Sequence, residues 1–160
     1  MSVAGISCWH SDCEAVGSAL LRSARTDLIL TTKGGKPGTL NTDSGYALSA
    51  ISCVSANTCY AAGAAVLVTV TSGAAFNPQA VGGGWNGNAI ECTGRHCEAA
   101  GREVFGSAYA DVLVSLTGGT AGPPVIVQTG QGYTGIAARG TSGFIAIAAG
   151  SNSGSEDTVG

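Results

Sequence analysis

Three short segments each carry two cysteines, the residue type that forms disulfides, binds metals and acts as a nucleophile. The pairs are Cys8 and Cys13, Cys53 and Cys59, and Cys92 and Cys97. His10 and His96 lie inside two segments, but at different positions, and the middle segment has no histidine. Every cysteine has a near partner, which disfavours a Cys–His nucleophile with a free thiolate. We interpret the cysteines as three hairpin disulfides; a metal site and free thiols are the alternatives.

Carboxylates could catalyse glycoside hydrolysis as an acid–base pair. Two pairs of acids occupy equivalent positions in repeated segments, which is typical of a structural role: Glu14 with Glu98, and Asp27 with Asp111. Glu91 differs, because the other segments have serine or alanine at its position. A charge on a single inner strand could line a central channel. Glu91 is therefore a candidate ligand-binding residue, and a solvated carboxylate is the alternative.

Aromatic side chains at recurring positions could bind sugars by stacking. Tyr46, Trp85 and Tyr133 each precede one of the repeated segments and follow a glycine or a glycine-rich stretch. The alternative, which we favour, is that they pack between neighbouring units of the fold. Trp9 follows the first cysteine at a predicted turn, so it is the better single candidate for a ligand contact.

Composition excludes several classes of protein. The 160 residues include 26 glycines, 44% are hydrophobic and only 11% are charged, which argues against disorder. The net charge of −3 disfavours a nucleic-acid partner. No apolar run is long enough to span a membrane, and no signal peptide is visible. Gly82-Gly83-Gly84 lacks the Lys-Ser/Thr of a phosphate-binding loop, so it does not indicate a nucleotide site. We predict no cofactor and no metal.

Four segments with the pattern of a strand, a tight turn and a second strand repeat along the chain. They begin at Ile6, Ile51, Ile90 and Ile136, which are 45, 39 and 46 residues apart. Spacings in this range are typical of propellers and solenoids. The fourth copy has Ala138 and Ala146 where we align the two cysteines. This joint loss favours paired cysteines.

A second, β-branched block follows each segment, and a glycine-rich extended stretch closes each unit. The clearest copy of the block runs from Asp27 to Gly35, and Asp157 to Gly160 is a shortened fourth copy. We predict a single all-β domain over residues 1–160, with four-stranded repeats at about 1–45, 46–84, 85–131 and 132–160. Abundant Ala, Gly and Ser suit inner strands that converge on a common axis.

The repeats resemble those of bacterial β-propellers of the Asp-box (BNR-type) and photosystem II assembly-factor-like kinds. Leu28-Ile-Leu-Thr-Thr-Lys-Gly-Gly-Lys36 is the nearest match, although Lys33 replaces the Asp of the box and Pro37-Gly38 replaces its Thr-Trp. The resemblance implies a small β-propeller of about four degenerate repeats, often secreted, with the last blade incomplete. Sialidase-type catalysis is disfavoured, because no arginine triad is fixed and the chain is too short for six blades.

We therefore expect a non-catalytic binding or assembly module in an extracytoplasmic or secreted setting. A carbohydrate-binding propeller is the first alternative, and a glycoside-type hydrolase using Glu91 is the second. The expected partners are a glycan or protein ligand, without nucleic acid. A second copy of the chain could also pair with the incomplete last blade to form a homodimer.

Overall fold

The computed structural model describes residues 1–21, 24–43, 45–129, 132–140, 143–148 and 157–159. Within these residues every secondary-structure element is a β-strand, which confirms the all-β prediction. The strands form four antiparallel sheets, and each sheet is built from one continuous stretch of chain. Short apolar, β-branched runs separated by glycine-rich turns are the sequence pattern that produces such hairpins.

The strands are numbered in chain order. Sheet 1 contains β1 (Ser2–Trp9), β2 (Asp12–Leu21), β3 (Ala24–Lys33) and β4 (Lys36–Asp43). Sheet 2 contains β5 (Ala50–Ser55), β6 (Thr58–Gly63), β7 (Val66–Thr71) and β8 (Ala74–Ala80). Sheet 3 contains β9 (Asn86–Thr93), β10 (His96–Phe105), β11 (Ala108–Thr117), β12 (Thr120–Ala121) and β13 (Val125–Thr129). Sheet 4 contains β14 (Tyr133–Arg139), β15 (Gly143–Ala148) and β16 (Asp157–Val159).

Each sheet is a meander in which consecutive strands pair, except that β12 and β13 both pair with β11. In sheet 3 the outer edge of β11 pairs with two short strands, β12 and β13. Pro123 and Pro124 lie between these strands, and proline cannot donate a ladder hydrogen bond, so the outer strand is interrupted. The described part of sheet 4 has three strands, and β16 pairs with β15 so that Asp157 lies opposite Ala146.

The sheets pack face to face through small and branched apolar side chains. One core cluster joins Val16 and Ile29 of sheet 1 to Ile51 and Ala61 of sheet 2. Because side chains alternate along a strand, the opposite face of sheet 2 packs on sheet 3. That second cluster includes Ala50, Tyr60, Ala62, Leu67, Trp85, Ile90, Ala99, Val112 and Val114. A third, smaller cluster joins Ala100 and Leu113 of sheet 3 to Tyr133 and Ala146 of sheet 4.

The glycine that ends each Cys-containing motif is required by a close approach of the backbone. A Cβ at Gly63 would overlap the carbonyl oxygen of Tyr46, and one at Gly101 would overlap that of Asn86. In sheet 1, a Cβ at Gly17 would overlap the carbonyl oxygen of Ser2. The incoming chain therefore passes directly over the second strand, where only glycine leaves room.

The structure contains the three predicted disulfides. Each joins two directly opposite residues in the first hairpin of sheet 1, 2 or 3. Their Cα atoms are 4.0, 3.8 and 4.0 Å apart in Cys8–Cys13, Cys53–Cys59 and Cys92–Cys97. In sheet 4, Phe144 rather than Ala146 lies opposite Ala138. The alignment of Ala146 with the second cysteine is therefore wrong, because Ala146 lies opposite Ile136, in the position that Ala15, Ala61 and Ala99 occupy in the other sheets.

The described sheets do not form a closed ring. Ile6 of β1 is 65% exposed and Ile147 of β15 is 54% exposed, so the outward faces of the first and last sheets are both open. The structure gives a row of antiparallel sheets, and the closed propeller stays a prediction.

Candidate functional site

The repeated isoleucine that begins each unit marks the face turned toward the preceding sheet. Ile51 and Ile90 are each 6% exposed, because the preceding sheet covers them. Ile6 occupies the same register position in sheet 1, opposite Ala15, yet it is 65% exposed. The difference arises from a missing neighbour and not from a different local structure.

Register places Ile6 in a cross-strand row that spans sheet 1. Ala15 lies opposite Ile6 and Leu30, and Leu30 lies opposite Leu40. Cross-strand partners share one face of a sheet, so Ile6, Leu30 and Leu40 point the same way. We call these three residues the leading face. Leu40 is 49% exposed and Leu30 is half-buried, which leaves an apolar surface open to solvent.

Sheet 4 has an open surface on its other side, the side that would face a following sheet. Ile147 occupies the register position of Val16, Ala62 and Ala100, which are buried at 1%, 0% and 0% by the sheet that follows each of them. Ile147 itself is 54% exposed, and Ile145, two residues earlier on the same side of β15, is half-buried. We call Ile145 and Ile147 the trailing face.

Two predicted aromatic candidates are buried in the packing between sheets. Trp85 is 1% exposed and belongs to the core between sheets 2 and 3, and Tyr133 is 0% exposed between sheets 3 and 4. Tyr46 is half-buried and packs against the core between sheets 1 and 2. In this arrangement the rings of Trp85 and Tyr133 are closed to a ligand, and the recurring aromatics separate adjacent sheets.

Trp9 lies at the end of β1, with 43% of its surface exposed. Its ring centroid is 5.5 Å from that of His10, at an interplanar angle of 35°. His10 has a φ of 57°, which turns the chain sharply at the hairpin. Asp12 supports the same turn by accepting a 2.9 Å hydrogen bond at Oδ1 from the backbone nitrogen of Gly34. The Trp9 ring is thus presented at a braced turn, where a flat ligand could stack on it.

Glu91 lies directly opposite Glu98 on neighbouring strands of sheet 3. Burial raises the pKa of the Glu91 carboxyl above its ordinary value, and a hydrogen bond with the backbone of Cys92 opposes part of the rise. Glu98 is 5% exposed; its Oε1 accepts a hydrogen bond from Ser115 and lies 3.5 Å from Nε2 of His96. The second carboxylate is therefore buried and already engaged, so the pair does not present two accessible acids to a glycoside.

Glu14 occupies the position of Glu98 in sheet 1, but its surroundings differ. The residue is 7% exposed, and among the described residues its Oε2 has no hydrogen-bond partner. Burial raises the pKa of the Glu14 carboxyl, and the positive charge of Lys33 opposes this rise. Within the described residues no group of three or more metal-ligating side chains is found.

A cavity of about 480 Å³ opens between sheets 2 and 3 at the end that carries the Cys-containing turns. Hydroxyl groups and one guanidinium contribute to its lining, which consists of Val54, Ser55, Thr58, Tyr60, Gly94, Arg95 and Gly118. Val54 follows the first cysteine of its sheet, as Trp9 does in sheet 1. The cavity between sheets 2 and 3 therefore combines polar groups with Val54, whose position in the repeat is that of Trp9.

An exposed hairpin tip between β10 and β11 was not predicted from the sequence. Val104, Phe105 and Tyr109 are 45%, 48% and 40% exposed, and the guanidinium of Arg102 lies 4.9 Å from the centroid of the Tyr109 ring. The corresponding strands of sheet 2 have six residues each, whereas β10 and β11, like β2 and β3 of sheet 1, have ten. This extra length relative to the second repeat was the available signal, because length differences between repeats map to their loops.

Comparison of the sequence with models of known protein families and with curated proteins finds no match. In the part of the chain that the structure describes, no helix is long and apolar enough to cross a membrane.

Proposed function

We propose that this protein is a non-catalytic, extracytoplasmic binding and assembly module of the propeller type. Its working surfaces are the leading face of sheet 1 and the trailing face of sheet 4. A partner that covers these faces would supply the neighbour that the inner sheets already have.

One observation carries the proposal: the repeated isoleucine is buried in sheets 2 and 3 but exposed in sheet 1, and the position of Ile147 is buried in sheets 1 to 3 but exposed in sheet 4. Ile51 and Ile90 are 6% exposed, whereas Ile6 is 65% exposed. Exposed apolar patches on a folded domain mark interaction surfaces, because leaving them in water costs roughly 25 cal/mol per Å². A terminal sheet whose face repeats the pattern of a buried interface is suited to docking against a partner.

The disulfides support the extracytoplasmic setting. Oxidising compartments maintain such bonds, whereas the cytosol keeps most thiols reduced. All six cysteines of the chain are paired. The small residues on the inner strands bury little area per side chain, so covalent closure of each first hairpin adds useful stability.

An apolar fluorescent dye tests whether the terminal faces are binding surfaces. In a dilute sample, Ile6→Glu and Ile147→Glu should each lower the dye fluorescence, since each variant places a charge on one face. Phe76→Glu is the matched control, because Phe76 is 68% exposed on β8, outside both faces. Unchanged dye binding in both face variants would contradict the proposal.

Carbohydrate binding is the second candidate, and the exposure of Trp9 favours it. The Trp9 residue is 43% exposed at a braced turn, and the hydroxyl-lined cavity beside Arg95 lies at the same end of a neighbouring sheet. Calorimetric titration with a panel of glycans measures this activity. We expect Trp9→Ala to weaken any glycan binding about tenfold, whereas Tyr109→Ala, at the opposite end of a sheet, serves as the control. Unaltered affinity in Trp9→Ala would exclude this residue as the contact.

A further inference from the structure

We propose that the partner of the two open faces is a second copy of this chain, arranged head to tail. The trailing face of each copy packs on the leading face of the other, so that two copies close one ring of eight sheets. This inference rests on the proposed function, since it names the partner of the same two surfaces.

The same contact is already made three times within one chain. Val16 shares a core cluster with Ile51, Ala62 with Ile90, and Ala100 packs in a cluster that Ile136 joins. Val16, Ala62 and Ala100 occupy the register position that Ile147 has in sheet 4. Ile51, Ile90 and Ile136 occupy the register position that Ile6 has in sheet 1. The trailing face of sheet 4 is thus built to receive a leading face, and the open leading face belongs to sheet 1.

The chemistry of the two faces fits direct contact. Ile6, Leu30 and Leu40 on one side and Ile145 and Ile147 on the other carry no charge or hydrogen-bonding group. Apolar surfaces can be removed from water without leaving an unpaired polar atom. Branched side chains already fill the contact between sheets 1 and 2, where Val16 shares a cluster with Ile51.

The usual number of sheets in a propeller indicates that the ring contains two copies. The leading and trailing faces differ, so their contact is heterologous, and copies add one after another until they close a ring. Propellers typically contain about four to eight sheets. Each chain contributes four sheets, so two copies give eight and three copies would give twelve, beyond that range. A ring of one chain would require Ile6 and Ile147 of that chain to cover each other, yet both are exposed.

Sedimentation velocity on complementary variants tests the arrangement. The wild-type chain should sediment as a dimer. Ile6→Glu and Ile147→Glu should each weaken dimerisation about 100-fold, because every contact in the ring then contains one charged face. An equimolar mixture of the two variants should restore a dimer, since the mixed pair keeps one contact between two unaltered faces.

The controls separate the possible outcomes. Circular dichroism should be unchanged in both variants, because each substituted side chain is exposed in the single chain, and Phe76→Glu should still dimerise. A monomeric wild type would overturn the inference, and so would dimers of Ile147→Glu alone, which indicate pairing of like leading faces. Failure to recover a dimer on mixing also overturns it. The dye experiment is separate: loss of dye binding with a monomeric wild type keeps the proposed function and rejects the second copy.

Discussion

Asp27 in β3 accepts a 2.7 Å hydrogen bond at Oδ2 from the backbone nitrogen of Tyr46, in the segment that leads from sheet 1 to sheet 2. The same carboxylate accepts hydrogen bonds from the backbone nitrogens of Ala47 and Leu48. Asp111 has the equivalent role in sheet 3, where its Oδ1 accepts a 2.6 Å hydrogen bond from the backbone nitrogen of Gly132. A buried carboxylate thus fixes the crossing from one sheet to the next.

We expect Asp27→Ala to lower the free energy of unfolding by about 3 kcal/mol, because three backbone donors lose a charged acceptor in a buried site. Asp27→Asn should cost less, since one side-chain oxygen remains. Urea unfolding measures both effects. Asp12→Ala is the control, because Asp12 accepts one exposed hydrogen bond from Gly34, and we expect a loss below about 1 kcal/mol. Equal losses in Asp27→Ala and Asp12→Ala would reject the crossing role of Asp27.

Gly63→Ala should destabilise the protein by about 3 kcal/mol, since the new methyl group would overlap the carbonyl oxygen of Tyr46 and force the backbone apart. Gly135→Ala is the matched control. Its added methyl group would meet no atom within 4 Å, so we expect little change or a small gain in stability. Thermal unfolding compares the two variants, and a tolerated Gly63→Ala would contradict the close approach inferred at this strand.

The sequence predicted the local hairpins better than their assembly. Cysteine pairing and strand composition depend on residues a few positions apart, so the repeats sufficed for all three disulfides. The burial of Asp27 and Asp111 depends on backbone donors from the next connection, and sheet 2 has Ala65 at that position. The open faces could not be read from sequence at all, because Ile6 and Ile51 have the same local pattern and differ only in their neighbours.

The candidate ligand residues also differ in how far local sequence predicts their exposure. Trp9 immediately precedes the turn between β1 and β2, and its exposure was predictable from local sequence. Trp85 and Tyr133 stand after glycine-rich stretches that could equally present or bury a ring, and only the packing of adjacent sheets decides for burial. Glu91 is an isolated charge among the repeats, but its place directly opposite Glu98 depends on strand register, which repeat spacing alone does not specify.

Trp85→Ala should destabilise the protein by about 4 kcal/mol, because it empties a large buried site between sheets 2 and 3. Trp9→Ala should change stability by less than about 0.5 kcal/mol, since that ring is 43% exposed. Chemical unfolding monitored by circular dichroism provides the comparison, because fluorescence would lose one of its two tryptophans in either variant. A stable Trp85→Ala would reject the packing role.

Replacing Cys53 and Cys59 together by alanine should lower stability by about 2 kcal/mol, the loop-entropy effect of a short closed segment. Replacing Cys8 and Cys13 should have a similar entropic effect, because these residues are five positions apart and the first pair six. Cys59 is 1% exposed, so the first double variant should also lose some apolar burial. Melting temperatures under oxidising and reducing conditions check this, and an unchanged melting temperature after full reduction would contradict it.

Glu14→Gln should make the protein more stable at pH 8, by about 1 kcal/mol, because it removes a buried charge that lacks a hydrogen-bond partner at Oε2. The pKa of Glu14 is raised in the folded state above its ordinary value of 4.5, so the folded protein holds this proton more firmly than the unfolded chain. The wild type therefore loses stability relative to the variant as pH rises above about 4.5, and the difference should vanish below that pH.

Substitution of Lys33 tests whether Glu14 causes that pH dependence, because the positive charge of Lys33 lowers the pKa of the Glu14 carboxyl and so opposes the effect of burial. Lys33→Gln should therefore increase the loss of stability with rising pH in the wild-type background, since the buried carboxylate then lacks its attracting cation. In the Glu14→Gln background the same substitution should leave the pH dependence unaltered. Urea unfolding of the four proteins between pH 4 and pH 8 completes a double-mutant cycle. An effect of Lys33→Gln that is the same in both backgrounds would assign the pH dependence to another group.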